Sequence, residues 1–379
     1  MRKPEEELAA LREAGLLREL RPVEPAQPPL LVVAGRPLLN FSSNDYLGLS
    51  QHEELKQAAL EATERFGTSA TASRLISGSL RLHHDLEERL ADLKGTEAAL
   101  TFSTGYAAAV GTLTALLEKD DVVILDKLCH ASLIDGARQS AATLRVYPHN
   151  HLDKLERLLL SAREKGGAHT RVLVVTESIF SMEGDRAPLR EIVELTERHG
   201  ALLLVDEAHA IGLLGASGQG LVQELGLQNR ITFQMGTLGK AVGSAGGYLA
   251  STRCWIDLLL NGARSFIYST APPPAQAAAS LCGLEIIASR AGADLRAKLW
   301  NNLAHFKPTA TSAIVPLVVG ENEASLAAAQ ALFEAGFLAP AIRFPTVPRG
   351  TARLRITISA AHEISHVREL LRQLRTQGL

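Results

Sequence analysis

The chain has 379 residues, 46% of them apolar and 21% charged, with 39 basic and 41 acidic side chains. That length suits one large core and a smaller one, and a net charge of -2 has no general attraction for a polyanion, so nucleic acid is not an expected partner. The three cysteines, Cys129, Cys254 and Cys282, form no C-x-x-C pair, which excludes a written zinc cluster or disulfide framework and suits a reducing cytoplasm.

The opening stretch MRKPEEELAALREAGLLREL reads as an acidic helix and not as a leader. No apolar run approaches the ~20 residues of a membrane span, so no membrane is expected. RPVEPAQPP has four prolines in nine residues, which predicts an extended connector without regular structure. Residues 1–40 are thus expected to be a helix and a connector, followed by a large domain over 41–300 and a small one over 301–379.

Within the large domain, Leu82, Leu86, Leu90 and Leu93 fall on one helical face, ending at Gly95 as a C-cap would. Short apolar runs then follow (AALTF, DVVIL, TLRVY, RVLVVTE and GALLLVDE), alternating with helical stretches over 105–117, 131–140, 151–164 and 187–199. Buried strands alternating with helices predict an α/β fold with a mostly parallel sheet covered on both faces. The last segment has a strand (AIVPLVV), a helix, a strand (ARLRITI) and a C-terminal helix, the pattern of a small α+β domain.

Polar residues and glycines gather just after the strands, at Ser103–Gly105, Ser178–Gly184, Asp206–Gly212 and Gly236–Lys240. In an open α/β sheet that edge binds ligands. Three motifs compete there and beyond. Val205-Asp206-Glu207-Ala208-His209 spells the DEAH of nucleic-acid NTPases, but the one resembling phosphate loop, Gly239-Lys240, lies downstream, has Gln234 for its first glycine and Ala241 for its hydroxyl. His362-Glu363-Ile364-Ser365-His366 matches the zinc motif H-E-x-x-H, yet Ile364, Val367, Leu371 and Leu374 form one apolar face and predict both histidines on the opposite, watery side. The third motif is QMGTLGKAVGSAGG, with Lys240 alone among small uncharged neighbours.

Asp206 ends a strand 34 residues before Lys240, and His209 follows it on the same edge. A strand-end aspartate that holds a pyridinium proton, with a downstream lysine that forms a Schiff base, is what pyridoxal phosphate requires. Small neighbours would let the flat cofactor approach the backbone. Taken singly, Asp206 also fits a helix cap, His130 and His209 fit polar core positions, and Arg355 fits a sheet-surface charge, since Arg353 and Arg355 share a face of ARLRITI.

The order FSSNDYLGLS, SRLISGS, HHDLEERLADLKGTEAALTFSTGYAAAVG, DKLCHASLIDG, TESIFSMEGDRAPL, VDEAHAIG, TLGKAVG, IYSTAPPP and PTVPRGTARLRITISAAH resembles the α-oxoamine synthases, a fold-type-I pyridoxal-phosphate family, from about Asn40 to the C-terminus. Within the family the likeness, carried by AIRFPTVPRGTARLRITISAAHE, is to the member of biotin biosynthesis that joins L-alanine to a pimeloyl thioester, whether of coenzyme A or of acyl carrier protein. Its siblings are 5-aminolevulinate synthase, 2-amino-3-ketobutyrate ligase and serine palmitoyltransferase. The resemblance implies that Lys240 carries the cofactor, Asp206 meets its ring nitrogen, His209 its phenolic oxygen, and His130 stacks on its ring. It puts Ser181 in the pocket, Gly105, Tyr106 and Thr237 at the phosphate, and Ser269 and Thr270 at the phosphate of a neighbouring subunit in a homodimer. Asn44 and Arg355 would take the amino-acid carboxylate, and Arg18, with Arg21 as near competitor, and Thr346 the acyl donor. Ser73 is small enough to leave room for a methyl on the amino acid, and Arg343 joins Arg18 as a candidate partner for a distal carboxylate.

Overall fold

A parallel strand buried on both faces has to be apolar along its length, and the computed structural model of the chain places the apolar runs in that role. It describes residues 3–18, 20–26, 28–167 and 169–379. By contact density the chain divides into two units, one of residues 49–181 and 185–297, the other of residues 1–48, 182–184 and 298–379.

The larger unit holds a seven-stranded sheet in the spatial order Ala98–Phe102, Gly247–Ser251, Phe233–Thr237, Leu202–Asp206, Val172–Glu177, Val122–Asp126 and Thr143–Tyr147. Gly247–Ser251 pairs antiparallel with both of its neighbours, and the other strand pairs are parallel. Leu125, Leu173, Val175, Leu204, Phe233 and Leu249 are buried in its core. The helices Gly105–Leu116, Ala131–Gln139, Leu152–Lys165 and Leu189–Arg198 lie in sequence between the strands, as the alternation predicts. The helix Arg81–Lys94 ends where expected, at Gly95 in the left-handed region with φ +63°. This is the fold-type-I α/β architecture.

The smaller unit has two sheets. Ile314–Gly320 pairs antiparallel with Ala352–Thr357, which also pairs with Ala341–Ile342. Val23–Pro25, Leu30–Val33 and Arg36–Asn40 form an antiparallel meander, joined in parallel by Phe337–Leu338. The expected proline-rich connector is therefore partly wrong: Val23–Pro25 is a strand. It lies at the sheet edge, where proline's missing N–H breaks no ladder. The N-terminal helix runs over Pro4–Glu13, with Glu5, Glu6 and Glu7 in its first turn, where the helix dipole favours acid. Met1, Arg2, Glu19 and Gln27 of these two stretches lie outside the described residues.

The HEISH segment also needs correction. The C-terminal helix is Ile364–Thr376, so His362 precedes it and does not share a helical face with His366. His362 is only 1% exposed and stacks on Phe41 with ring centroids 4.1 Å apart. Its Nδ1 accepts from Ser359 N–H at 3.0 Å, and Nε2 donates to the Asn40 carbonyl at 3.1 Å. Nδ1 ties the ring to its own segment, and Nε2 joins that segment to the strand end at Asn40.

Burial pushes His362 down to about 4, so the folded protein holds it neutral. An ordinary histidine in the unfolded chain binds its proton near 6.5. Stability is therefore present above that value and is lost as pH falls from about 6.5 toward about 4. Between pH 7 and 4.5 the parent is expected to lose about 2–3 kcal/mol more than His362→Asn in urea unfolding. Equal losses in the two proteins would contradict this account of His362.

Candidate active site

The parallel strands end on one edge, and the side chains that follow them line a cavity of about 190 Å³. Gly105, Tyr106, His130, Asp206, His209, Thr237 and Lys240 all lie on its wall, as do Ser132, Glu177 and Gly236. Seven residues singled out in the sequence thus come together from four strand ends.

Lys240 follows the strand Phe233–Thr237, and its Nζ donates to His209 Nε2 at 2.8 Å. Asp206 ends its strand with only 6% exposure, and its Oδ1 accepts from Ala208 N–H at 2.9 Å. Burial raises the Asp206 pKa, and the charge of Lys240 opposes that rise. His130 caps the helix Ala131–Gln139, with Nδ1 2.8 Å from Ser132 Oγ. Burial lowers its pKa, against the pull of Asp206, so its ring is a neutral surface.

The helix Gly105–Leu116 begins at the same cavity. Thr104 Oγ1 accepts from Ala107 N–H at 3.0 Å, which leaves the earlier amides of Gly105 and Tyr106 at the helix N-terminus, a setting that favours an anion. Thr237 stands beside them, within 3.5 Å of the position a side chain on Gly105 would take.

The bareness of the lysine loop has a physical cause besides cofactor access. A Cβ on Gly247 would come within 2.6 Å of Gly105 Cα, so glycine there lets the strand meet the helix N-terminus. Gly243 combines φ +78° with a Cβ position 2.7 Å from the Leu49 carbonyl carbon. These glycines serve packing within the protein.

Other expected residues fall elsewhere. Ser181, Ser269 and Thr270 are not among the described residues lining the cavity. Ser181 is 8% exposed, while Thr270 forms an isolated antiparallel bridge with Ser73. In the smaller unit, Arg355 Nη2 donates to Asn44 Oδ1 at 3.2 Å, and Tyr46 donates to the same oxygen at 3.1 Å. Arg355 is 6% exposed, so the surface-charge alternative fails for it. Arg353 shares that burial and donates to Glu183 at 2.9 Å. Arg18 is exposed and lines a depression of about 780 Å³ with Arg12, Arg21 and Arg343, over an apolar floor that includes Leu17 and Phe333. Arg18 and Arg21 both face it, so their competition stays open. Thr346 is exposed, with its amide donating to the Arg343 carbonyl at 3.0 Å.

Three further residues carry weight that sequence reading missed. Glu177 is treated below. Glu207, the glutamate of the DEAH string, is fully buried and paired with fully buried Lys94, and it accepts from Val222 N–H at 2.9 Å. It braces the strand end behind Asp206. His149 donates from Nδ1 to Asp126 at 3.1 Å and from Nε2 to Asp185 at 2.9 Å, edge-on to Phe180. Burial lowers its pKa, but the bonds to the two carboxylates prevail and push it up to about 10. It clamps the loop that carries Ser181. The only sequence signal was a polar PHN after the strand TLRVY.

The family model for aminotransferase class I and II matches residues 36–374. The chain is 47% identical over 369 residues to 8-amino-7-oxononanoate synthase of Geobacter sulfurreducens, covering 95% of this chain and 93% of that one. Among solved structures, serine palmitoyltransferase from S. paucimobilis, with PLP-myriocin bound, superposes with a TM-score of 0.92 at 30% identity, covering 98% of this chain and 96% of that one. An 8-amino-7-oxononanoate synthase from Francisella tularensis gives 0.75 at 26% identity, covering 90% and 97%.

Proposed function

Because the chain belongs to the class I and II aminotransferase family, and within it to the α-oxoamine synthases, we propose that it catalyses the reaction of 8-amino-7-oxononanoate synthase in biotin biosynthesis. It condenses L-alanine with a pimeloyl thioester of coenzyme A or acyl carrier protein, releasing 8-amino-7-oxononanoate, carbon dioxide and the free thiol. The observation that carries this reading is Lys240 within 2.8 Å of His209 in a cavity walled by buried Asp206, in a chain nearly half identical to a synthase of that name.

The cofactor is pyridoxal 5'-phosphate, and the cavity's groups suit it. An amine, a buried carboxyl, an imidazole, a helix N-terminus and a threonine hydroxyl line it together. Bound there, the cofactor supplies an electron sink for negative charge at the amino acid's Cα. Lys240 would anchor the cofactor, and its Nζ, when free, would be the base that takes the Cα proton. Asp206 would hold the proton on the ring nitrogen, His209 would donate to the phenolic oxygen, and His130 would cover the ring. The amides of Gly105 and Tyr106, with Thr237, would bind the phosphate. Ser181 completes the pocket. Asn44 and Arg355 take the alanine carboxylate, while Arg18 and Thr346 take the acyl donor, with Arg21 and Arg343 beside them.

A homodimer belongs to the same reading, with Ser269 and Thr270 reaching a neighbour's phosphate. Exposed Ile76 and Tyr268 lie close in sequence to the Ser73–Thr270 bridge and support a face that a second copy covers. Among the described residues no helix is long and apolar enough to cross a membrane. The three cysteines are free thiols, which supports a cytoplasmic setting.

The substrate choice is testable directly. On this reading small Ser73 would leave room for alanine's methyl, and one such contact is worth about 1–3 kcal/mol, so the preference over glycine is expected to be clear but incomplete. The acyl preference is expected to be sharper, because a pimeloyl carboxylate deprived of a cationic partner is poorly solvated. L-alanine with pimeloyl thioester is expected to give the highest kcat/KM, ahead of glycine with acetyl or succinyl thioester and of serine with palmitoyl thioester. Thiol release and product mass measure it, and a win for another pair would keep the family and replace the member.

A further inference from the structure

Glu177 ends the strand Val172–Glu177 directly beside Asp206 in the adjacent parallel strand. It is 2% exposed and faces the same cavity as Lys240 and His130. No step above uses it, yet a carboxyl buried there has lost its hydration and needs compensation. The compensation comes from two backbone groups. Glu177 Oε1 accepts from His130 N–H at 2.6 Å, and the amide of Ser181 contributes a second hydrogen bond. One side chain therefore joins two loops that arrive separately, one carrying His130 and the other Ser181.

That position is sensitive for His130. Its ring is oriented by the helix start, through Ser132, so a shift of the His130 backbone moves the ring with it. Charge matters as well. Burial first, and neighbouring Asp206 second, push Glu177 well above the usual carboxylate range, while the charge of Lys240 and the two amides pull the other way. Burial raises the pKa of both adjacent carboxyls, and the charge of Lys240 opposes the rise at each.

We propose that Glu177 is a positioning residue: a buried carboxyl whose hydrogen bonds to the backbone amides of His130 and Ser181 fix both loops around the cofactor. This rests on the function proposed above, but its test does not depend on which substrates are used. Glu177→Gln keeps Oε1 as an acceptor for the His130 amide. Glu177→Ala removes the acceptor and frees both loops.

The experiment compares parent, Glu177→Gln and Glu177→Ala as holoenzymes by kcat and KM, with whichever amino-acid and thioester pair the parent turns over fastest. It adds the visible absorption of bound pyridoxal phosphate and hydrogen exchange of the amides at 130 and 181. Glu177→Gln is expected to stay within about 3-fold of the parent in kcat with an unchanged spectrum. Glu177→Ala is expected to lose about 10²-fold in kcat, the scale of an ångström-sized misplacement, with KM little changed, a shifted absorption band and faster exchange at both amides. A glutamine variant as impaired as the alanine variant, or an alanine variant that matches the parent, overturns the proposal. Should Glu177→Ala not fold, the spectrum and exchange of Glu177→Gln decide: parent-like supports it, shifted overturns it. A parent that binds the cofactor but makes no 8-amino-7-oxononanoate would fail the functional reading alone, since spectrum and exchange still discriminate the variants.

Discussion

Lys240→Ala is expected to lower turnover by about 10⁴-fold or more while the protein still folds and still binds pyridoxal phosphate. The lysine is asked to do two things at one atom, anchoring the cofactor and moving the Cα proton, and acid–base catalysis alone contributes about 10²–10⁴-fold. Its Nζ sits against His209 Nε2 at 2.8 Å, so removing it leaves the rest of the wall in place. Asp206, His130 and the helix start at Gly105 remain on the cavity wall, where on the proposed reading they hold ring and phosphate. Steady-state assays measure the first effect and equilibrium dialysis of the cofactor the second. Retained normal activity would overturn the assignment of Lys240.

Asp206→Asn is expected to slow exchange of the alanine Cα proton by about 10²-fold or more, the scale seen when one preorganised electrostatic group is removed. The change is nearly isosteric, and an asparagine Oδ1 can still accept from Ala208 N–H, the 2.9 Å bond that Asp206 makes. What disappears is the negative charge that holds a proton on the ring nitrogen. Exchange into deuterated buffer, read by proton NMR of alanine, isolates this step from thioester chemistry. An unchanged exchange rate in a folded, cofactor-loaded variant would contradict the role given to Asp206.

The parallel sheet was legible because buried strands read as uninterrupted apolar runs, and AALTF, RVLVVTE and GALLLVDE have no other sensible place. The site was legible where chemistry is unusual for its setting: a lysine among glycines, an aspartate closing an apolar strand. Glu177 closes its strand just as Asp206 does, but its value lies in a cross-strand pairing and in two backbone amides, and neither has a sequence period. His362 departs from its sequence expectation because the helix begins two residues after it, so the helical face on which the apolar pattern places it does not include it. Pro25 was read by its intrinsic preference, whereas the sheet edge tolerates it. The sequence suggests cofactor access as the reason for the bare lysine loop, and the approach of Gly247 to Gly105 and of Gly243 to Leu49 adds a packing reason that no sequence pattern carries.

The central claim is that Lys240 anchors pyridoxal phosphate in the cavity it shares with Asp206 and His209. Reducing the holoenzyme with borohydride and mapping its peptides by mass spectrometry tests this most directly. The reduced cofactor is expected on Lys240 alone, with the visible absorption bleached in proportion to the labelled peptide. Label on another lysine, or none on a protein that nonetheless turns over L-alanine and pimeloyl thioester, would contradict the account.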